Sequence, residues 1–532
     1  MSPRQTDVLI VGCGIAGASA ALRLAQDARR QITLITRAAE PKESNTRYAQ
    51  GGIVTLGPSG KDSADLIVKD ILAAGAGLSQ PSTARILAEE GPDLVDEVLI
   101  ETVGVPFDRR DDGQLAYGRE GAHSSPRILH VGDATGRAII QALIAALREY
   151  ANVHIITAAT AVDLITFPHH ANDPLTVYEP IACHGAYVFE QSQRSVHRYL
   201  AGATILATGG LGRIYRHTTN PKGSRGDGLA MAYRAGARVI NAEYVQFHPT
   251  ALAAADGESF LISEAVRGEG GRLLTPDGRP FMSDYAPQWG DLAPRDIVAR
   301  AIHHEMVEHG YPYALLDIHS ARSSAHIRER FPTIYTRCLE LGIDITHQPI
   351  PVVPAAHYFC GGVWTDDWGR TTVENLYAIG EVACTGIHGA NRLASTSLLE
   401  GLVWGDRAAR DIAKRGSLSA VAPGDVPRWE EEGLEEEADP ALIWRDMRTI
   451  QHTMWHYVGL IRSAKRLARA LRDLRHLVQD IDSFYRTTRL NDALIGLRHS
   501  VQAALIVAEA AQHNRTSRGC HYRDDTKGTA TL

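Results

Sequence analysis

The stretch that decides the fold is residues 7–22, which read DVLIVGCGIAGASAAL. A short apolar run comes first, GCGIAG follows it, and a segment rich in alanine and leucine comes next. Gly12, Gly14 and Gly17 therefore form a GxGxxG fingerprint between a predicted strand and a predicted helix. The first glycine permits a tight turn, the second lets the backbone approach a pyrophosphate, and the third lets helix and strand pack closely. The stretch predicts the start of a Rossmann-like, doubly wound parallel sheet that binds a dinucleotide. A glycine turn that binds nothing is the alternative.

The second predicted strand, residues 31–35, ends at Thr36 and Arg37. An NAD site of this kind usually carries an acid at that point, which binds the ribose. Its absence argues against assigning NAD from the fingerprint alone. Arg37 is instead expected to meet a phosphate or the adenine.

Length and composition limit the classes of function. The 532 residues are too many for one core, so two to four structural units are expected. The net charge of -7 gives no electrostatic footprint for nucleic acid. We expect no membrane span, because no apolar run approaches about 18 residues. The six cysteines lie far apart with no CxxC, so we predict neither a metal site nor a disulfide framework. A reducing cytoplasm is the predicted location.

The pattern along the chain predicts a discontinuous arrangement of domains. Residues 1–243 and 358–415 are predicted to form the dinucleotide-binding domain, because strand-like runs that end in glycine recur in both. Residues 244–357 are predicted to be an inserted α+β capping domain that binds substrate and has few long apolar strands. Residues 430–515 have apolar residues at helical spacing, which predicts a C-terminal helical bundle. Residues 516–532 are expected to be a loose tail, although the aromatic Tyr522 could pin part of it.

A series of further motifs gives the chain a family resemblance. After the fingerprint come NTRYAQGG (residues 45–52), ATGG, GDG, FHPT, RGEGG, APRD, HGANRLAS and SLLEG, in that order. This order resembles the succinate dehydrogenase/fumarate reductase flavoprotein family over roughly residues 5–410, with a family-like helical C-terminus beyond. The resemblance implies that the dinucleotide is FAD. The two glycines of NTRYAQGG would let backbone press against its planar ring.

The resemblance also implies how FAD is held. Respiratory members of the family carry His where this chain has Asn45, and attach FAD covalently through it, so the FAD here is expected to be non-covalent. Glu381 resembles the acid that binds the adenosine ribose, whereas Asp227 could also be a simple Asp-Gly turn. Thr396 stands where Asn is usual. The implied cofactor contacts are Gly12, Cys13, Gly14, Ile15, Ala16, Gly17, Arg37, Asn45, Thr46, Arg47, Tyr48, Ala49, Gln50, Gly51, Gly52, Val162, Asp227, Glu381, Ser397 and Leu398.

The implied substrate is a small dicarboxylate, held by two separate groups of residues. His248 and Ser263, with Gln246 beside them, resemble one carboxylate clamp, and His357 and Arg392 resemble the other. Arginine suits this task because its planar fork bonds both carboxylate oxygens. A structural histidine is the ordinary alternative for each His, and only the joint occurrence of these residues favours the clamp.

Arg295, in APRD, resembles the catalytic arginine of the family. Arginine is an unusual acid or base because its guanidinium holds its proton firmly. The residues that match the family's proton relay are Glu264 and Arg267, which share one face if their segment is helical. A surface ion pair is the alternative for these two residues.

Within the family, residues 119–130 (REGAHSSPRILH) resemble members that oxidise L-aspartate to iminoaspartate by hydride transfer to flavin N5. Dioxygen, with H2O2 formed, or fumarate would then be the electron acceptor, in the first step of de novo NAD biosynthesis. Glu120 is expected to pair with the substrate ammonium, from a Gly-flanked loop that could close. The product suggests hand-over to quinolinate synthase. A soluble fumarate reductase or succinate-oxidising flavoprotein is the alternative, and a non-catalytic FAD-binding or electron-carrier subunit is a third reading.

Overall fold

The structure is a computed structural model that describes residues 4–525, apart from residues 59, 254–259, 417, 419, 433 and 435. Its first part is a mixed α/β unit. The elements are β1 (Arg4–Val11), α1 (Ile15–Ala25), β2 (Ile32–Ile35), β3 (Ile53–Val54), α2 (Ala64–Ala74), α3 (Pro81–Leu94), β4 (Tyr117–Gly118), β5 (Ile128–Leu129), α4 (Thr135–Leu147), β6 (Val153–Ile156), β7 (Ala159–Phe167), β8 (Ala182–Glu190), β9 (Ser195–Leu206), α5 (Asp227–Arg234) and β10 (Val239–Ile240).

The main sheet has the strand order β6-β2-β1-β9-β8-β7. Strands β6, β2, β1 and β9 run parallel, with Val8 of β1 opposite Ile32 of β2 and Ala203 of β9. The apolar end of β1 is buried, as expected for a central parallel strand covered on both faces. Strand β1 leads through Gly12 and Gly14 directly into α1, so the predicted strand-turn-helix is confirmed.

A second sheet is antiparallel and has the order β11-β14-β13-β12. Two of its strands are short, and the other two are long and largely buried. Prolines at positions 249, 351 and 354 hide these strands in the sequence, and a register shift beside Pro249 accommodates one of them. The elements are β11 (Val245–Leu252), α6 (Glu264–Gly268), β12 (Arg272–Leu274), α7 (Met282–Tyr285), α8 (Arg295–Glu308), β13 (Ala314–Asp317), α9 (Ser324–Arg330), α10 (Pro332–Glu340) and β14 (Ile350–Phe359).

The chain then returns to the main sheet, where one strand pairs with the end of β9. The returning elements are β15 (Gly362–Trp364), β16 (Leu376–Ala378), β17 (Ala383–Cys384) and α11 (Thr396–Lys414). The helical C-terminal region follows, with β18 (Glu436–Glu437), α12 (Pro440–Tyr457), α13 (Ala464–Thr487), β19 (Thr488–Arg489) and α14 (Asp492–His513). Helix α14 is long and apolar enough to cross a membrane, but 67% of its most apolar window is buried inside the protein, which is typical of a core helix.

The tail after α14 is packed as far as residue 525, which contradicts the expectation that it is loose. The Cys520 amide donates to the Ala390 carbonyl, and the Arg462 amide donates to the Tyr522 carbonyl. The tail therefore supports the segment that carries Arg392. The remaining part of the predicted tail, residues 526–532, lies outside the described residues.

Candidate active site

One deep cleft runs from the glycine fingerprint to Arg295, and its volume is about 1730 Å³ with the open mouth included. Its lining joins the glycine fingerprint at one end to Arg295, His248 and Arg392 at the other. One continuous cleft therefore offers positions for a dinucleotide and for a small substrate.

The fingerprint end of the cleft is built for close backbone approach. Gly12 has a φ of 117°, and a side chain there would meet the Ala207 carbonyl oxygen at 2.1 Å. A side chain at Gly14 would meet Thr46 Oγ1, which accepts a hydrogen bond from the Ile15 amide at 3.0 Å. The loop of residues 45–52 is thus tied to the start of α1 and shares its cleft.

Several buried polar atoms of this cleft lack a hydrogen-bond partner within the described part of the protein. They are Ser44 Oγ, Gln50 Oε1 and Thr208 Oγ1. Buried polar groups in proteins are nearly always paired. These three atoms therefore point to a polar ligand that bonds them when it binds.

Asn45 and Glu381 meet within the cleft. The Asn45 side-chain amide donates to Glu381 Oε2 at 3.0 Å, and the Phe359 amide donates to Oε1 at 3.0 Å. Burial raises the pKa of Glu381 to about 7. Glu381 therefore lies with the Asn45 loop, whereas Arg37 follows β2 and donates to Asp492 at the start of α14.

Most of the predicted cofactor residues line the cleft, but three do not. The residues that line it are Gly12, Cys13, Gly14, Ile15, Ala16, Arg37, Asn45, Thr46, Tyr48, Ala49, Gln50, Gly51, Gly52, Asp227, Glu381, Ser397 and Leu398. Gly17 instead packs α1 on the turn, because a side chain there would meet Gly12 O at 2.1 Å. Arg47 pairs with Glu43, and Val162 is buried within β7. Cofactor contacts from Gly17, Arg47 and Val162 stay predictions.

The predicted carboxylate-binding residues come together at the other end of the cleft. The imidazoles of His248 and His357 lie 5.1 Å apart, and Arg392 and Ser263 also line this end. His248 Nδ1 lies 3.1 Å from the Thr250 carbonyl oxygen. Burial and the nearby positive charges lower the pKa values of both histidines well below the ordinary value, so both imidazoles are neutral.

Arg392 is held by Ser397, which the resemblance implied only as a cofactor contact, and by Tyr358, which the sequence did not single out. Its guanidinium lies 4.3 Å from the centre of the Tyr358 ring and donates to Ser397 Oγ at 2.9 Å. The Tyr358 hydroxyl donates to the buried carboxylate of Glu400 at 2.8 Å. Arg392 Nε has no partner among the described residues and is free to bind an anion. Tyr358 directly follows His357, and this adjacency was the available signal in the sequence.

Arg295, the first residue of α8, is bonded to Glu264 and Gln246. Its Nε donates to Glu264 Oε2 at 2.6 Å and its Nη1 donates to Gln246 Oε1 at 3.2 Å. Burial alone would raise the pKa of Glu264, but the charges of Arg295 and Arg267 outweigh it and lower that pKa. Glu264 and Arg267 lie on helix α6, 3.7 Å apart, so the predicted i,i+3 pair exists and is buried.

Gln246 is placed differently from the prediction. Its amide nitrogen donates to Asn391 Oδ1 and to the Arg392 carbonyl, and its oxygen accepts from Arg295. It is fully buried and does not line the cleft. Gln246 therefore connects the two arginines instead of binding substrate. Arg267 also lies behind the cleft wall, as a relay residue could.

Glu120 lies in the cleft against Gly51. Ser395 Oγ donates to Glu120 Oε2 at 2.7 Å, and Ser395 itself has a φ of 56° at the start of α11. A side chain at Gly51 would meet Glu120 Oε1 at 2.2 Å. Burial and the negative charge of Glu264 raise the pKa of Glu120. Ser395 lies inside the HGANRLAS motif, yet nothing in the motif shows that it holds Glu120.

The loop that carries Glu120 is anchored on its C-terminal side. The buried guanidinium of Arg127 donates to Asp62 and Asp70 at 2.7 Å each. The ring nitrogen Nε2 of His123 lies 3.0 Å from the Ala394 carbonyl oxygen. These buried contacts hold the segment that follows Glu120 against the cleft wall. Closure of the loop over a ligand stays a prediction.

Comparison with known proteins agrees with this geometry. The family model described as an FAD binding domain matches residues 7–398, and the one described as the fumarate reductase flavoprotein C-terminus matches residues 447–530. L-aspartate oxidase 1 of Ralstonia nicotianae is 44% identical, with 98% of this chain and 95% of that protein covered. L-aspartate oxidase of Yersinia pestis is 43% identical, with 98% and 96% covered. A solved structure of E. coli quinol fumarate reductase superposes with a TM-score of 0.87 at 27% identity, covering 99% of this chain and 92% of that one.

Proposed function

Since the chain belongs to the L-aspartate oxidase family of FAD-binding, fumarate-reductase-like flavoproteins, we propose that it oxidises L-aspartate to iminoaspartate. The reaction is FAD-dependent and is the first step of de novo NAD biosynthesis. The electron acceptor is dioxygen, which gives H2O2, or fumarate. A soluble fumarate reductase is the less favoured alternative, because the L-aspartate oxidases are 44% and 43% identical over 98% of the chain, whereas the fumarate reductase structure is 27% identical.

The residues of the cleft fit FAD. The glycine turn before α1 suits a pyrophosphate, and the unpaired Ser44 and Thr208 hydroxyls suit a polar ligand. The position of Glu381 beside Asn45 favours a contact with the flavin half of FAD over the adenosine ribose. When bound there, FAD would supply the electron-accepting centre of the reaction.

We assign the chain's own residues the following tasks. Arg392 and His357 bind one substrate carboxylate, and His248 and Ser263 bind the other. Arg295 orients the substrate and moves a proton, with Glu264 and Arg267 behind it as the relay. Glu120 pairs with the substrate ammonium, because a buried cation needs a compensating anion. The buried position of Glu120 in the cleft is the observation that favours an amino acid as the substrate.

Anaerobic reduction of the flavin tests the function. The purified yellow protein is mixed without oxygen with L-aspartate and, separately, with succinate. We expect L-aspartate to bleach the visible flavin band and succinate to bleach it much less. Bleaching by succinate alone would favour the fumarate reductase alternative.

We propose that the FAD is not covalently attached. The Asn45 amide cannot supply the imidazole nitrogen that forms a flavin bond in respiratory relatives, and it donates instead to Glu381. Acid or heat denaturation should therefore release free FAD into the supernatant, where its absorbance is measured. Flavin that remains with the precipitated protein would contradict this proposal.

The two carboxylate groups of residues should serve every dicarboxylate ligand. His248→Ala or Arg392→Leu should weaken the binding of aspartate and fumarate alike, by at least about tenfold, because both ligands share two carboxylates. Affinity is measured from the change in flavin absorbance on titration. His347→Ala, an exposed histidine near β14, is the matched control and should change neither value. If only one ligand loses affinity, that residue does not bind a shared carboxylate.

Further parts of the proposal concern the whole protein. We propose three domains: an FAD-binding domain of residues 1–243 and 358–415, a capping domain of residues 244–357 and a helical domain of residues 430–515. The sheet and helix boundaries support this division. A cytoplasmic location and a hand-over of the product to quinolinate synthase stay predictions.

A further inference from the structure

The relay behind Arg295 is buried along its whole length. The side chains of Arg295, Glu264 and Arg267 are 9%, 3% and 0% exposed. A relay that supplies protons to the substrate must exchange them with water. Arg267, its last member, cannot do so directly because none of its guanidinium is exposed.

Arg267 also has unused hydrogen-bonding capacity. Its Nη1 donates to the Asp291 backbone carbonyl at 2.5 Å, but Nε and Nη2 have no hydrogen-bond partner within the described ranges. Two donors without a hydrogen bond on a buried guanidinium are unusual, although Nη2 lies 3.7 Å from Glu264 in an ion pair. They leave room for a further link in a chain of hydrogen bonds.

Four ionisable groups have the strongest electrostatic influence on the pKa of the Arg267 guanidinium: Glu264, Arg295, Asp291 and Glu120. Only Asp291 is partly exposed, whereas the other three are buried. Asp291 precedes the exposed Leu292 in the turn before α8, and its Oδ1 accepts from the Leu273 amide at 2.8 Å. Its carboxyl is therefore held in place between Arg267 and the protein surface.

We propose that Asp291 is the outer member of the proton relay, through which Arg267, Glu264 and Arg295 exchange protons with water. Its carboxyl lies beyond direct ion-pair distance of Arg267, so a water molecule between them would complete the connection. This inference rests on the proposed function of the site. It adds to that function the point at which protons enter and leave the protein.

The proton balance defines what the relay carries. Oxidation of aspartate removes a hydride from Cα, which flavin accepts, and a proton from the ammonium, which must leave the site. Reduction of fumarate to succinate adds a hydride from reduced flavin to one carbon and a proton to the other. The second reaction needs a proton delivered to carbon, so it is the more sensitive test.

The test compares Asp291→Asn with the wild-type holoprotein. Asn can still accept from the Leu273 amide but cannot carry a proton. We expect the reoxidation of pre-reduced protein by fumarate, followed by flavin absorbance, to slow about tenfold and to show a larger solvent deuterium isotope effect. The FAD content and the affinity for succinate should not change. Asp291→Glu should restore most of the rate.

The pH profile is a second readout. Burial raises the pKa of Asp291, although the charges of Arg267 and Arg272 oppose this. The wild-type rate should fall as pH rises through that pKa, because the donor loses its proton, and this limb should be absent in Asp291→Asn. Asp284→Asn, an exposed acid on α7, is the control and should behave as wild type.

The outcomes separate the two proposals. A normal rate and an unchanged pH limb in Asp291→Asn would overturn the role of Asp291, as would a slow variant that Glu does not rescue. If L-aspartate fails to bleach the wild-type flavin, the proposed substrate is wrong. The fumarate reaction would still test Asp291 in that case.

Discussion

Replacement of Arg295 by leucine is expected to lower the turnover of L-aspartate by at least about a hundredfold while FAD remains bound. General acid–base groups contribute about 10²–10⁴ to rate, and Arg295 also orients the substrate in our proposal. The change is measured as kcat in aerobic assays of L-aspartate oxidation. FAD content is read from the visible spectrum of the same sample.

The contacts of Arg295 explain why no other residue replaces it. Its guanidinium is the group that joins Glu264 to Gln246, and Gln246 in turn bonds the Arg392 carbonyl. Leucine removes the charge, the fork and the proton path together. It also leaves the carboxylate of Glu264 without its closest partner, which costs about 1–3 kcal/mol or more for a buried group.

The matched control is Arg337→Leu, which removes a partly exposed, ion-paired arginine from α10. It should leave kcat within about twofold of wild type, since surface ion pairs contribute little. Lysine at position 295 should not restore activity, because it lacks the planar fork. A loss below about tenfold in Arg295→Leu, about 1.4 kcal/mol of barrier, would make Arg295 a structural residue.

The start of the fold was predictable because its signals are local. GxGxxG between an apolar run and an alanine-rich segment describes one strand, one turn and one helix, and β1, Gly12 and α1 have that arrangement. The glycines are needed by the backbone itself. A side chain at Gly12 or Gly17 would meet a carbonyl oxygen at 2.1 Å. Because only glycine fits these positions, the glycine spacing in the sequence predicts the backbone conformation of the turn.

The second sheet was not predictable in the same way. Strands β11 and β14 contain Pro249, Pro351 and Pro354, which are unusual in strands, so the segment did not indicate long strands. Their pairing is long-range, since Val245 lies opposite Phe359. Such a pairing depends on the tertiary structure, and no short window of the sequence contains it.

The site shows the same division. The family motifs indicated that His248, Arg295 and Arg392 belong to one site, and all three line the cleft. A motif does not show which neighbouring residue bonds to each side chain. Gln246 is committed to three protein partners, and Ser395 holds Glu120 from a distance of 275 residues in the chain. The family pattern names residues, and only the structure shows which of them line the cleft.

The charges at the substrate end can be balanced against each ligand. Three arginines (267, 295 and 392) and Glu264 give a net charge of +2 when Glu120 is protonated and +1 when it is ionised. Fumarate carries two negative charges, and aspartate carries two carboxylates and one ammonium. The site therefore matches fumarate in the first state of Glu120 and aspartate in the second. A carboxyl with a raised pKa can adopt either state.

Glu120→Gln should separate the two ligands. Glutamine keeps the shape of the side chain and can still accept from Ser395, but it cannot pair with an ammonium. Loss of one partner of a buried charge pair costs about 2–5 kcal/mol, so kcat/KM for L-aspartate should fall by roughly 30-fold or more. Fumarate reduction should change much less, because fumarate has no cation and the +2 site still matches it. Both reactions are measured on the same preparation.

The pH dependence gives this prediction a second test. Burial raises the pKa of Glu120, so the wild-type affinity for aspartate should decline as pH falls through that pKa and the carboxyl becomes neutral. Fumarate affinity should not decline over the same range, and the decline should be absent in Glu120→Gln. Glu340→Gln, which removes an exposed acid on α10, is the matched control and should leave the ratio of the two activities unchanged. Equal losses for both ligands in Glu120→Gln, or none for either, would refute the ammonium contact, and the site would then be better explained as that of a fumarate reductase.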